Sequence, residues 1–101
     1  MNIKPYAKAL RDIHTAVDLS DRIGSLQLYG AAKAIYRDLL QFLGAEPPEK
    51  RASDHDYIIE KLRYFMAYFS EAVMPIEDDE HTLEERLKLA GDYLEKVETS
   101  I

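Results

Sequence analysis

The chain of 101 residues contains no cysteine, which removes disulfides and thiolate metal ligands together and leaves apolar packing to hold any fold. A chain without thiols suits a reducing cytosol. Long uncharged apolar runs are also missing. The N-terminal stretch MNIKPYAKALRDIH sets Lys4, Lys8, Arg11 and Asp12 among its apolar residues, so neither a signal peptide nor a membrane span is expected there. The reading is a soluble, unexported, cytoplasmic protein. Strand-like alternation, internal repeats and low-complexity tracts are lacking as well. Positive charge is scarce: 13 Lys and Arg face 19 Asp and Glu, for a net charge of −6. Phosphate binding needs a basic patch that releases counterions, so no nucleic-acid partner is expected. An anionic lipid surface would repel such a chain, and no membrane insertion is expected.

The charge that is present is unevenly placed. Up to Met74 the chain carries ten acidic and ten basic side chains, and from Pro75 onward nine acidic and three basic. The whole acidic excess belongs to the last quarter. A single domain of this length buries roughly two-thirds of the surface its unfolded chain exposes, which is enough for one core.

Apolar residues recur at helical spacing in four segments. The first has Ile3, Tyr6, Leu10, Ile13 and Val17 on one stripe, with Pro5 in a first-turn position that tolerates proline. DLSDR then offers Ser20 and Asp21 as caps for a second helix. Its seam is Leu28, Ala32, Ile35, Leu39 and Phe42, widened by Tyr36 and Leu43. Gly24 and Gly30 weaken its early turns by about 1 kcal/mol each relative to Ala, so the helix is expected to be firm from Ala31 on. Gly44 is placed to stop it, and AEPPEKRAS, with Pro47 and Pro48, forms the longest linker.

Ser53 and Asp54 are cap candidates for the third helix. Its seam runs Ile58, Leu62, Phe65, Phe69 and Ala72, flanked by Ile59, Met66 and Val73. At 100° per residue the apolar arc covers about 220°, with Glu60, Arg63, Ala67, Ser70 and Glu71 opposite. Such a width suits a helix that packs against two neighbours. An alternative is that the Tyr57, Tyr64 and Tyr68 edge faces a partner, because tyrosine joins apolar area to a polar tip. Pro75 is expected to end this helix. The fourth opens after IEDDEHT, with Thr82 and Glu85 at capping-box spacing. Its seam is Leu83, Leu87, Ala90, Leu94, Val97 and Ile101, close to a heptad stripe. The expected fold is all-α, one antiparallel up-down four-helix bundle over residues 1–101.

Catalytic and metal patterns are weak. A di-metal carboxylate bundle needs two Glu-x-x-His pairs, and here only Asp78 precedes His81 at that spacing. His14 lies beside a seam, His55 in a cap and His81 in an acidic turn, so all three are expected to be solvated or edge residues. EDDEH at Glu77 to His81 lacks the pattern of a calcium loop. No GxSxG elbow or phosphate-binding glycine loop is present. The expectation is a non-enzyme with no cofactor, no metal and no catalytic residues. What remains is surface. Asp78, Asp79, Glu84, Glu85, Lys88, Asp92 and Glu95, with Tyr93 beside them, form a candidate partner-binding face on and before the fourth helix, and Tyr57, Tyr64 and Tyr68 form a second. The plainer reading of the acidic face is a solvated surface that keeps the protein soluble; the sharper one is a docking surface for a basic partner, such as the Lys- and Arg-rich cytoplasmic loops of a membrane protein.

Element order and length, together with YAKALRDIH at Tyr6–His14, AIYRDL at Ala34–Leu39 and the aromatic third segment IIEKLRYFMAYF at Ile58–Phe69, resemble the immunity proteins of the pediocin-like (class IIa) bacteriocins, of the enterocin A immunity type. The resemblance implies a cytosolic four-helix bundle that protects the producing cell without catalysis. It would associate from inside with the mannose phosphotransferase permease once bacteriocin has engaged it. The family's specificity resides largely in its C-terminal half, which corresponds here to the fourth helix. The chain is acidic where the family is frequently basic, and it ends soon after Val97. A small regulatory or phage-encoded inhibitor of a soluble protein is the alternative reading. A monomer is expected, with homodimerisation through the wide third helix as the other outcome.

Overall fold

The seams inferred from spacing close on one another. In the computed structural model, which describes residues 2–51, 53–74 and 82–101, helix α1 spans Lys4–Ala16, α2 Arg22–Gly44, α3 His55–Val73 and α4 Leu83–Glu98, with a single 3-10 turn at Pro48–Lys50. Each helix packs against two neighbours, in the order α1, α2, α3, α4 and back to α1. Every neighbouring pair is antiparallel. Tyr6 of α1 meets Phe42 near the end of α2, whereas the α1–α2 turn binds Ser25 near its start. Arg22 and Tyr29 of α2 meet Val73 and Phe69 of α3 in reverse order. Likewise Tyr64 and Glu71 of α3 meet Tyr93 and Arg86 of α4, and Arg11 and His14 of α1 meet Glu98 and Leu87. The fold is therefore the expected all-α up-down bundle, and no strand occurs among the described residues.

The breadth of α3's apolar arc follows from this ring. Ile58, Leu62, Phe65, Met66, Phe69, Ala72 and Val73 are all buried, because α3 lies between α2 and α4 and must cover both. Phe69 and Tyr29 of α2 meet in a T-shaped arrangement at 5.6 Å between centroids, and Phe65 and Phe69 do the same at 5.7 Å. Ile3 and Leu10 from α1's side, Ala32, Leu39 and Leu43 from α2, and Ala90, Leu94 and Val97 from α4 complete the core.

Helix ends depart from the sequence reading in instructive ways. Asp21, not Ser20, caps α2, accepting from the Gly24 amide at 3.0 Å. A Cβ on Gly24 would collide with the Asp21 carboxylate, so this glycine makes room for the cap and α2 runs unbroken from Arg22 rather than firming up at Ala31. Ser20 instead bonds Asp18 through its amide at 3.0 Å and its hydroxyl at 2.6 Å, which holds the Asp18 carboxyl below its ordinary range. Asp54 stands at the N-cap of α3, yet its side chain makes no capping bond. α3 ends at Val73; Pro75, the expected stop, lies outside the described residues. Its last turn holds no basic residue. Arginines of both neighbours supply the missing donors: Arg22 of α2 donates to the Val73 carbonyl at 2.9 Å and Arg86 of α4 to the Glu71 carbonyl at 3.1 Å. Both carbonyls belong to the last turn, which has no intrahelical partners and carries the negative end of the dipole.

Arg86 is the largest surprise in the core, at 1 % exposure. It takes an inward position of α4 while Leu83 and Leu87 are only half-buried and Ile101 is exposed. Phe42 is likewise outside the seam in which its spacing puts it, at 40 % exposure, because α2 presents the adjacent Leu43 to the core. The capping box of α4 forms as its spacing predicts. Thr82 accepts from the Glu85 amide at 3.1 Å and Glu85 reaches back to the Thr82 amide at 3.3 Å. Thr82→Ala is expected to lower stability by about 1 kcal/mol and Thr82→Ser by much less, measured by urea unfolding followed by circular dichroism.

Candidate functional site

Tyr57, Lys61, Tyr64 and Tyr68 follow one another at i, i+4, i+7 and i+11, a spacing that sets them along one edge of a helix. In α3 this edge faces α4, whose Tyr93 completes the group. Tyr68 stacks on Tyr93 with centroids 5.5 Å apart and planes 7° from parallel, and Tyr64 leans on Tyr93 at 5.1 Å. The Lys61 ammonium lies 4.9 Å from the centre of Tyr57, 5.6 Å from Tyr64 and 5.8 Å from Tyr93. Such distances place it within the attraction of three ring quadrupoles. Tyr57 and Tyr64 remain 41 % and 40 % exposed. The two tyrosine groups inferred separately, Tyr93 on one helix and Tyr57, Tyr64 and Tyr68 on another, are thus one continuous surface.

The acidic face of α4 is less uniform than its sequence. Glu84 and Glu95 are exposed, but Glu85 is engaged by the capping box and Lys88 pairs with Asp92 at 3.1 Å. Glu98, which is not one of these residues, turns toward α1. Asp78 and Asp79 lie outside the described residues, as does His81.

Glu98 is drawn inward by a group that sequence spacing did not single out. Arg11 of α1 holds it with two bonds, 2.7 Å from Nη2 and 3.1 Å from Nε, and Nη2 also donates to the Gly91 carbonyl at 3.0 Å. The Glu98 hydrogen bonds raise the Arg11 guanidinium above its already high pKa, while burial works in the opposite direction. One turn on, His14 Nε2 lies 2.7 Å from the Leu87 carbonyl, and Arg11 Nη1 lies 3.4 Å from His14 Nδ1. A carbonyl only accepts and a guanidinium only donates, so this geometry fits an imidazole protonated on Nε2. Helices α1 and α4 can approach this closely because Gly91 has no side chain there. The apolar seam of α4 does not include that glycine, so periodicity gives no sign of its role.

His55, expected to be solvated, is only 4 % exposed, and its Nδ1 has no hydrogen-bond partner among the described residues. His14, expected at an edge, is half-buried against α4. Among the described residues no three His, Asp or Glu side chains are grouped as a metal would require, and no helix is long and apolar enough to cross a membrane. On the opposite side of the bundle a groove of about 420 Å³ lies between α1 and α2, lined by Pro5, Tyr6, Ala9, Ala34, Ile35 and Asp38. The Tyr6 hydroxyl donates to Asp38 at 2.7 Å, and this bond raises the Tyr6 pKa because ionisation would destroy it. Its contribution is present through neutral pH and lost only as pH rises through the raised value.

No protein-family model matches the chain, and neither does any curated protein or solved structure.

Proposed function

We propose that the chain is a cytosolic immunity protein of the class IIa bacteriocin type, acting by association and without catalysis. Its target on this reading is a membrane receptor already engaged by bacteriocin, the mannose phosphotransferase permease. The observation that carries the association reading is the surface shared by α3 and α4, where four tyrosines and Lys61 are gathered on the outside of a bundle whose other large apolar residues are mostly consumed by the core. Rigid aromatic area with polar tips is what protein interfaces enrich. It adjoins α4, the element to which the family resemblance assigns specificity. The net charge of −6 favours encounter with positively charged cytoplasmic loops.

Expression in a bacteriocin-sensitive relative is expected to confer resistance. The informative reversals are Glu84→Lys, Asp92→Lys and Glu95→Lys together; Glu85 is left alone because its side chain serves the helix cap. On this reading the triple variant keeps its helical circular-dichroism spectrum, and the protected bacteriocin concentration falls on the order of tenfold. Full protection by the folded triple variant would discard the electrostatic part. A pull-down from detergent-solubilised whole cells with and without bacteriocin separates this role from inhibition of a soluble protein, which would capture its target in both cases.

A further inference from the structure

We infer that the tyrosine face of α3 and α4 receives a positively charged side chain of a protein partner, arginine before lysine, and that Lys61 occupies this place in the free protein. The inference rests on the association reading only in treating the face as a docking surface. Three rings, Tyr57, Tyr64 and Tyr93, surround a single ammonium at 4.9–5.8 Å, so the surface already shows which charge it favours. Tyr64 and Tyr93 do not depend on the lysine for their arrangement. Tyr68 stacked on Tyr93 and Tyr64 leaning on Tyr93 hold them from within the bundle.

Apart from the three rings, Lys61 is lightly held. Its side chain is laid down to 18 % exposure, yet among the described residues its ammonium makes no hydrogen bond, and its one ionic neighbour is Glu60 at 3.9 Å. A flexible four-carbon stem held by the rings and one weak ion pair can swing into water when a better-matched cation takes its place beside the exposed Glu60 carboxylate. Arginine fits this better than lysine does. Its planar guanidinium stacks on a ring while its edge still donates to a carboxylate such as Glu60. Lys61 then acts as a built-in competitor that tunes affinity, and removing it strengthens docking.

The test is a titration of the full chain, followed by NMR of the tyrosine rings, with the peptide Gly-Ser-Gly-Arg-Gly-Ser-Gly and its citrulline counterpart, which has the same shape without the charge. The arginine peptide is expected to shift Tyr57, Tyr64 and Tyr93 saturably and the citrulline peptide not to. Lys61→Gln should tighten arginine binding by about two- to fivefold. Tyr93→Ala should abolish the shifts, and Tyr57→Ala, at an exposed position that the core does not need, should weaken them. Equal response to citrulline, or unchanged or weaker binding by Lys61→Gln, would overturn the inference. Peptide binding without bacteriocin protection would sink the immunity reading and leave this surface standing; protection without peptide binding would do the reverse.

Discussion

Replacing Phe65 by alanine is expected to lower stability by about 3–5 kcal/mol, read from urea unfolding, while Phe42→Ala lowers it by less than about 1 kcal/mol. Both phenylalanines lie on predicted seams, and only their burial separates them. Phe65 is fully buried, meets Phe69 edge-on at 5.7 Å and lies 6.3 Å from the His14 ring. Truncating it leaves a void where α3 faces α1 and α4, and the surrounding helices relax only partly. Phe42 is two-fifths exposed and tilts against Tyr6 at 5.9 Å, so its loss uncovers little that water did not already reach. Against a total stability of about 5–15 kcal/mol for a domain of this size, the first substitution brings the bundle near its threshold. A melting temperature lower by roughly 12–30 °C should accompany it. Equal effects for the two would contradict the packing described.

Substitution of Gly91 is expected to reverse the usual sign for a helix. Alanine for glycine in a helix interior ordinarily stabilises by about 1 kcal/mol. Here the new Cβ would stand 2.6 Å from His14 Cε1, 2.9 Å from Nε2 and 3.4 Å from Arg11 Nη1. The imidazole has little room to retreat, being tied to the Leu87 carbonyl and set close to Phe65. Gly91→Ala should therefore destabilise by about 1–3 kcal/mol and Gly91→Val by more, since overpacking forces α1 away from α4. A double-mutant cycle with His14→Ala checks the cause. Removing the ring should relieve the clash, so that the two changes together cost at least about 1 kcal/mol less than their sum. Strict additivity would locate the strain elsewhere.

Only part of this molecule was legible before its helices were assembled. The seam of α3 was read position by position, because long apolar side chains at three- and four-residue steps have one consistent burial solution when two neighbours cover the helix. The capping box at Thr82 and Glu85 was equally legible, since it is closed by residues three apart. Cap choice at α2 was not: Ser20 and Asp21 both offer an oxygen, and the space left by Gly24 decides between them.

The candidate site divides in the same way. Tyr57, Tyr64 and Tyr68 were visible as an edge of one helix, and Tyr93 as a residue of another. Their union around Lys61 depends on the rotation of α4 against α3, which no single segment specifies. Charge alone puts Glu85 on the acidic face of α4, whereas its side chain serves its own helix end.

What the sequence by itself determined is the number of the helices and the apolar seam of α3, because these follow from local periodicity and capping; in α2 and α4 it misplaced Phe42, Leu83 and Leu87. Tertiary structure alone decided where the polar side chains went: Arg86 and Arg22 on the open carbonyls of α3, Arg11 on Glu98, and His14 against Gly91. Most buried and half-buried polar groups are answered by a partner. These partners lie on neighbouring helices, 15 to 87 residues away in the chain, where periodicity carries no record of them.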